Sequence, residues 1–168
     1  MESSASDGFN DMIKLCSNEN AVFRISRKAL YQSTMLKTMV ENLDLTSEKI
    51  ESSEPIPVPH ANTEDLRRVV EWCEHHRDDA PLDMKTVKQT DIVITPWDAQ
   101  FLNIANDELH KLICVANFLE INKLLRMACR IVAGWLKNKS PEMMRVAFGI
   151  PNATDIEEMG QGPKRARR

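Results

Sequence analysis

Three residues close together in the sequence, Cys73, His75 and His76, are of types that could do chemistry. A thiol beside an imidazole can act as a nucleophile, with the imidazole as its general base, and both side chains are common zinc ligands. Catalysis also needs a third group that orients the base, and zinc needs a second pair of closely spaced ligands. The sequence places neither. We therefore predict no catalytic residue, no metal site and no cofactor, and interpret the histidines as groups at the negative end of a helix.

The other cysteines, Cys16, Cys114 and Cys129, do not form a C-x-x-C pair with any neighbour. No charged and apolar leader opens the chain, so we expect a protein of the cytoplasm and nucleus whose thiols stay reduced. No run of about 18 apolar residues occurs, which predicts no membrane-spanning helix and no membrane partner.

The composition is that of one folded domain with a tail, since 42% of the 168 residues are hydrophobic and 28% are charged. The net charge of −3 excludes an overall basic surface for coating nucleic acid. Four basic residues fall within the last five positions: Lys164, Arg165, Arg167 and Arg168. This cluster is typical of a nuclear-import signal, and also of a solvated, disordered end. It could contact phosphates only, so we predict no specific nucleic-acid partner.

The first half of the sequence has the pattern of a β-hairpin followed by helices. Apolar residues alternate in 12–16 and 22–25, on either side of a segment with turn composition. A helical stretch over 27–43 follows, and Ser33-Thr34 can divide it into two helices, because both residues favour caps over helix interiors. After it we predict a loop over 46–54 and a short strand over 55–59, at an edge or with limited pairing. A helix that begins at Asn62 or Thr63 follows and ends in 75–77, with Trp72 at the margin of its buried face.

The second half begins with a polar segment, about 78–95, which we predict to be a long exposed linker. Pro96 then marks the first turn of a short helix. Two longer helices are predicted over 106–121 and 123–137. Ser140, Pro141 and Gly149 bracket a last short helix, with proline just inside its start and glycine just past its end.

The predicted helix over 123–137 is apolar on nearly its whole circumference. From Leu124 to Leu136 its only charged residues are Arg126 and Arg130. A helix of this kind must be buried on several sides. One stripe can pack on the domain: Leu124, Ala128, Ile131 and Trp135. A second stripe then needs another neighbour: Leu125, Cys129, Val132 and Leu136.

The last predicted helix also has more apolar surface than one face can bury: Met143, Met144, Val146, Ala147 and Phe148. Large exposed apolar patches usually mark interaction sites, so we favour a groove for a partner on these two helices. The alternative, in which the two helices cover each other completely, stays open.

Several segments resemble those of one known family. They are STMLKTMVENL at 33–43, PIPVPHAN at 55–62, VVEWCEHHRDDAP at 69–81, PWDAQFL at 96–102, VANFLEINKLL at 115–125 and KSPEMMRVAFGI at 139–150, together with an opening IKL strand. Over about residues 12–151 the chain resembles the Skp family, the S-phase kinase-associated adaptors of SCF ubiquitin ligases. The resemblance implies an α/β fold with a BTB/POZ-type core over 12–121, in which a small, mainly N-terminal sheet packs with helices. Two or three C-terminal helices follow over 122–150, and we expect disorder over 1–11 and 151–168.

The resemblance also implies a function and its residues. Members of this family are adaptors without enzymatic activity or small-molecule substrate, and they act in ubiquitin-dependent protein degradation. Their core holds the N-terminal domain of a cullin scaffold, through a pair that is normally Asn-Tyr and falls here on Asn117 and Phe118. Their appended helices hold F-box proteins, the substrate receptors. That surface falls here on Leu125, Cys129, Val132, Leu136, Met144 and Phe148.

The sequence departs from the family pattern near its end. Gly160, Gly162 and Pro163 interrupt a further helix that clasps the F-box in the family, and Asn122-Lys123 replaces a Lys-Gly turn. The interrupted helix predicts weaker or more selective F-box binding, and the altered turn leaves the angle between the helices over 106–121 and 123–137 open. One alternative function is a BTB-type module that self-associates or binds only a cullin, with a degenerate F-box groove. A DNA-binding helix-turn-helix over 107–137 is disfavoured because its second helix offers apolar groups to the base edges.

Overall fold

The computed structural model describes residues 11–88, 91–147 and 149. The chain divides into two compact units, and the boundary between Arg130 and Ile131 falls inside a helix. No described helix is long and apolar enough to cross a membrane. The end segments predicted to be disordered lie outside the described residues, except for Asp11.

The described strands form one sheet with β1 (Met12–Ser17) at its centre, between β2 (Val22–Ser26) and β3 (Ile56–Val58). Strands β1 and β2 pair antiparallel, with Ile13 opposite Ile25, whereas β1 and β3 pair parallel. The predicted hairpin and the predicted edge strand are therefore confirmed. The proline-rich β3 lies at an edge because proline has no N–H for a second partner strand.

The described helices are α1 (Arg27–Leu30), α2 (Thr34–Asn42), α3 (Ser47–Ile50), α4 (Thr63–His75), α5 (Pro96–Phe101), α6 (Asn106–Phe118), α7 (Asn122–Leu136) and α8 (Pro141–Ala147). The hydroxyl of Ser26 accepts a hydrogen bond from the N–H of Ala29, and the hydroxyl of Ser33 accepts one from Leu36. Both caps are of the kind that begins a helix. The predicted division between α1 and α2 is confirmed.

The segment over 46–54, which we predicted to be a loop, contains the single turn of α3. Ile50 is only 2% exposed, so one helical turn suffices to bury the apolar residue of a polar segment. A lone apolar residue has no period, and the pattern of the sequence therefore could not indicate this helix.

Helix α4 is central to the core of the first unit and lies against β2, α1 and α6. Leu66, Val69 and Cys73 are buried on it. The predicted place of Trp72 at the margin is wrong, because this side chain is fully buried. Its indole N–H donates to the Asp98 carboxylate, 3.2 Å away, and a buried indole needs such an acceptor.

The buried imidazole of His76 connects the end of α4 to two carboxylates. Its Nδ1 lies 2.6 Å from Oδ2 of Asp79, and its Nε2 lies 2.8 Å from Oδ1 of Asp98. The second oxygen of Asp98 accepts from the hydroxyl and the N–H of Thr95, which forms a capping box at the start of α5. Together these groups join α4 to α5, and we name His76, Asp79 and Asp98 the histidine clamp.

Three basic residues attach the first part of α7 to the segment over 78–95. Lys123 Nζ lies 2.5 Å from Oδ2 of Asp79, in the histidine clamp. The guanidinium groups of Arg126 and Arg130 donate to the carbonyls of Val87 and Ile92, at 2.8 and 2.6 Å. Most described residues of that segment are exposed, but the side chain of Ile92 is buried.

The histidine clamp predicts an acid-sensitive contribution to stability. Burial raises the pKa of the Asp98 carboxyl, but hydrogen bonds from Thr95 and His76 outweigh it, so the pKa lies below its ordinary value. The ionised carboxylate therefore stabilises the fold above that ordinary value, and this contribution is lost as the pH falls below about 4. Asp98→Asn should lower the free energy of unfolding by about 2 kcal/mol at pH 7. The difference from the wild type should shrink below pH about 4 in urea denaturation.

Asp78→Asn is the matched control, because Asp78 is an exposed aspartate that pairs with Lys28 at the surface. Surface pairs contribute little, so its denaturation curve should stay close to that of the wild type. An Asp98→Asn variant as stable as the wild type at pH 7 would contradict the role given to the clamp.

Candidate protein-interaction surfaces

The residues that first suggested chemistry do not form a reactive site. Cys73 is buried, and its burial raises the pKa of the thiol. His75 is exposed and stacks on Trp97, with ring centroids 3.6 Å apart, whereas His76 belongs to the histidine clamp. Among the described residues, no group of three or more histidine, cysteine, aspartate or glutamate side chains is placed to hold a metal ion.

Helix α7 has three faces of different character. With about 100° between successive residues, the centre of the second stripe lies about 110° around the helix from Leu124. The two arginines lie roughly a further 110° around. One face is fully buried: Leu124, Met127 and Ala128. The stripe that we predicted to pack on the domain is confirmed only at Leu124 and Ala128, because Ile131 and Trp135 are partly exposed. Arg126 and Arg130 form the arginine face, and they donate hydrogen bonds to the carbonyls of Val87 and Ile92. The second stripe is the remaining face.

The second stripe is only partly covered by the chain itself. Leu125 and Cys129, in the first unit, are partly exposed, and so are Val132 and Leu136 in the second unit. Partial burial also raises the pKa of the Cys129 thiol. The chain therefore leaves apolar area on this face that a partner would remove from water.

Helix α8 lies in the second unit and has no buried residue. Met143 is 58% exposed and Val146 84% exposed, while Met144 is partly exposed. The hydroxyl of Ser140 accepts from the N–H of Met143, which confirms the predicted cap. Phe148, the last residue of the predicted F-box surface, lies outside the described residues, as do the basic residues of the tail.

The predicted cullin-contact pair lies at the end of α6, on a different helix from the second stripe. Asn117 is exposed and Phe118 is partly exposed. The next residue, Leu119, is fully buried, and Glu120 has a φ of 54°, a left-handed conformation in the turn that follows α6. The buried neighbour and the turn thus fix the two predicted residues at the surface.

Phe118 has a neighbour that the sequence pattern does not predict. The ring of His60 lies against the Phe118 ring, with centroids 4.3 Å apart and an angle of 59° between the planes. His60 belongs to the turn between β3 and α4, far from α6 in the sequence. The local sequence pattern cannot predict this contact, because the two residues are far apart in the sequence and only the fold brings them together.

Comparison with known proteins identifies the family. Two models match the chain, the Skp1 family tetramerisation domain over residues 11–78 and the Skp1 family dimerisation domain over 122–161. The E3 ubiquitin ligase complex SCF subunit sconC of Arthroderma benhamiae is 37% identical over 155 residues, or 89% of each chain. The Skp1-related protein of Caenorhabditis elegans is 37% identical over 153 residues, which is 89% of this chain and 86% of that protein. These matches confirm the resemblance: the chain belongs to the Skp1 family.

Proposed function

We propose that this protein is a non-enzymatic adaptor of SCF-type E3 ubiquitin ligases, which joins a cullin scaffold to F-box substrate receptors for ubiquitin-dependent degradation. Its similarity to a protein named as an SCF subunit, over most of both chains, supports the class of function. The observation that carries the proposal is the second stripe of α7, an apolar face that the chain covers only in part. An adaptor without catalysis needs such binding surfaces and no reactive group.

The F-box partner binds to the second stripe and to the exposed side of α8. An apolar helix face of another protein would bury Leu125, Cys129, Val132 and Leu136, and burial of apolar area is the main favourable term in association. The resemblance to the family adds Met144 and Phe148 to the residues that this partner contacts. Methionine is flexible and polarisable, which lets one surface adapt to the different helices of many receptors.

The cullin partner binds to the end of α6, through Asn117 and Phe118. An aromatic side chain at the centre of an interface is a frequent anchor, and the exposed amide beside it offers hydrogen bonds. Because α6 and α7 are different helices, each partner has its own surface. This separation is what an adaptor requires, since it must hold both partners at the same time.

The first test concerns the F-box surface. Val132→Glu places a charge that F-box binding would have to bury, so the affinity for a purified F-box domain should fall by at least about 30-fold. Isothermal titration calorimetry measures this affinity. Val132 is already partly exposed, so the variant should keep a circular dichroism spectrum and an unfolding midpoint close to those of the wild type.

Ala133→Glu is the matched control, because Ala133 is the next residue on α7, is exposed and lies on the arginine face. It should bind the F-box domain as the wild type does. If Val132→Glu unfolds the protein, the second stripe is core, and if it binds normally, the stripe is not the F-box surface. Either result contradicts the assignment.

The second test concerns the cullin surface. Phe118→Ala removes the aromatic anchor, so the affinity for a cullin N-terminal domain should fall about tenfold or more. Binding of the F-box domain should not change, because that surface lies on other helices. Leu43→Ala is the control, since Leu43 is also a large exposed apolar residue. A wild-type protein that binds the cullin but no F-box domain would instead support the alternative module, with a degenerate groove.

We also propose that the protein works in both cytoplasm and nucleus, with Lys164, Arg165, Arg167 and Arg168 as a nuclear-import signal. Clustered basic side chains of this kind are typical of such signals. Replacing the four residues by alanine in the full chain, fused to a bulky fluorescent reporter, should lower the nuclear-to-cytoplasmic fluorescence ratio. An unchanged ratio would show that the tail does not direct import.

A further inference from the structure

The contact between His60 and Phe118 forms a composite surface from two distant parts of the chain. Phe118 ends α6, and His60 extends from the turn before α4 to lie against its ring. His60 and Asn117 are exposed and Phe118 is partly exposed, so all three residues contribute to the accessible surface of the first unit. A partner that contacts Phe118 is therefore also close enough to contact the imidazole of His60.

The turn that carries His60 is fixed from both sides. Val58 before it and Ala61 after it are fully buried. The N–H of Asn18 donates to the carbonyl of Ala61 at 2.9 Å, and the N–H of Thr63 donates to the Glu19 carboxylate at 2.9 Å. The backbone that carries His60 is therefore fixed before any partner arrives, and the contact with Phe118 limits the rotation of the ring, which lowers the entropy lost on binding.

The polar atoms of this surface are available to a partner. Among the described residues, no atom forms a hydrogen bond with a ring nitrogen of His60 or with the side-chain amide of Asn117. A neutral imidazole has one donor and one acceptor, and an amide has two donors and one acceptor. An apolar ring thus lies beside polar groups whose hydrogen bonds are not used within the described part of the chain.

We propose that His60 is a specificity-determining residue of the cullin-facing surface, an inference that rests on the proposed function. Its ring positions Phe118, and one of its ring nitrogens exchanges a hydrogen bond with a polar atom of the cullin N-terminal domain. The surface then selects a partner with an apolar side chain for Phe118 and a polar atom beside it for His60. A partner that offers only apolar groups would leave the imidazole desolvated and unpaired, which opposes binding.

The experiment separates the ring of His60 from its polar atoms. His60→Phe keeps an aromatic ring against Phe118 and removes both nitrogens. The affinity of the full chain for a cullin N-terminal domain, measured by calorimetry, should fall about 3- to 10-fold, as expected for one lost hydrogen bond. His60→Ala removes the ring as well and should weaken binding further. The matched control is His110→Phe, an exposed histidine of α6 whose replacement should change nothing.

The F-box domain serves as the second ligand for every variant, and its affinity should stay that of the wild type. If wild-type protein does not bind the cullin domain, the proposed function fails and the inference fails with it. If wild-type protein binds, Phe118→Ala weakens binding and His60→Phe does not, only the inference is overturned. A His60→Phe variant that alters self-association in sedimentation, with unchanged cullin affinity, would also overturn it.

Discussion

The apolar circumference of α7 is the constraint that governs the rest of the molecule. A helix in a small unit can bury one face against its own core, and here that face consists of Leu124, Met127 and Ala128. The arginine face is attached to backbone carbonyls, and the second stripe remains partly exposed. The proposed adaptor function follows from this division, because the face that the chain cannot cover is the one that a receptor helix would cover.

Presenting that face requires that the start of α7 be fixed, and polar groups fix it. Lys123 binds Asp79, whose carboxylate also binds His76, and His76 in turn binds Asp98 at the start of α5. This chain of charged and polar contacts sets position and direction, as hydrogen bonds do, whereas apolar contacts supply most of the free energy of burial. The surface at the end of α6 is fixed differently, by the buried residues beside it.

Much of the fold could be predicted from the sequence because its signals are local. Alternating residues predict the hairpin, and Ser33 predicts the division between α1 and α2. The apolar period of α7 predicts the burial of Leu124 and Ala128, but not that of Met127 or the partial exposure of Ile131 and Trp135. The contacts of His76 with Asp98, Arg126 with Val87 and His60 with Phe118 could not be predicted, because each joins parts of the chain far apart in sequence. The family resemblance supplied the cullin and F-box roles, which periodicity alone does not distinguish from those of any exposed apolar groove.

The central claim, that a partner helix covers the second stripe of α7, is tested most directly at Cys129. This thiol lies in the stripe and is partly exposed, whereas Cys114 is exposed on α6 and Cys73 is buried in the core. The rate of alkylation of each thiol at mildly alkaline pH, followed by peptide mass spectrometry, reports whether a partner covers it. A saturating F-box domain should slow the alkylation of Cys129 and leave that of Cys114 unchanged. Equal rates at Cys129 with and without the bound F-box domain would contradict the account.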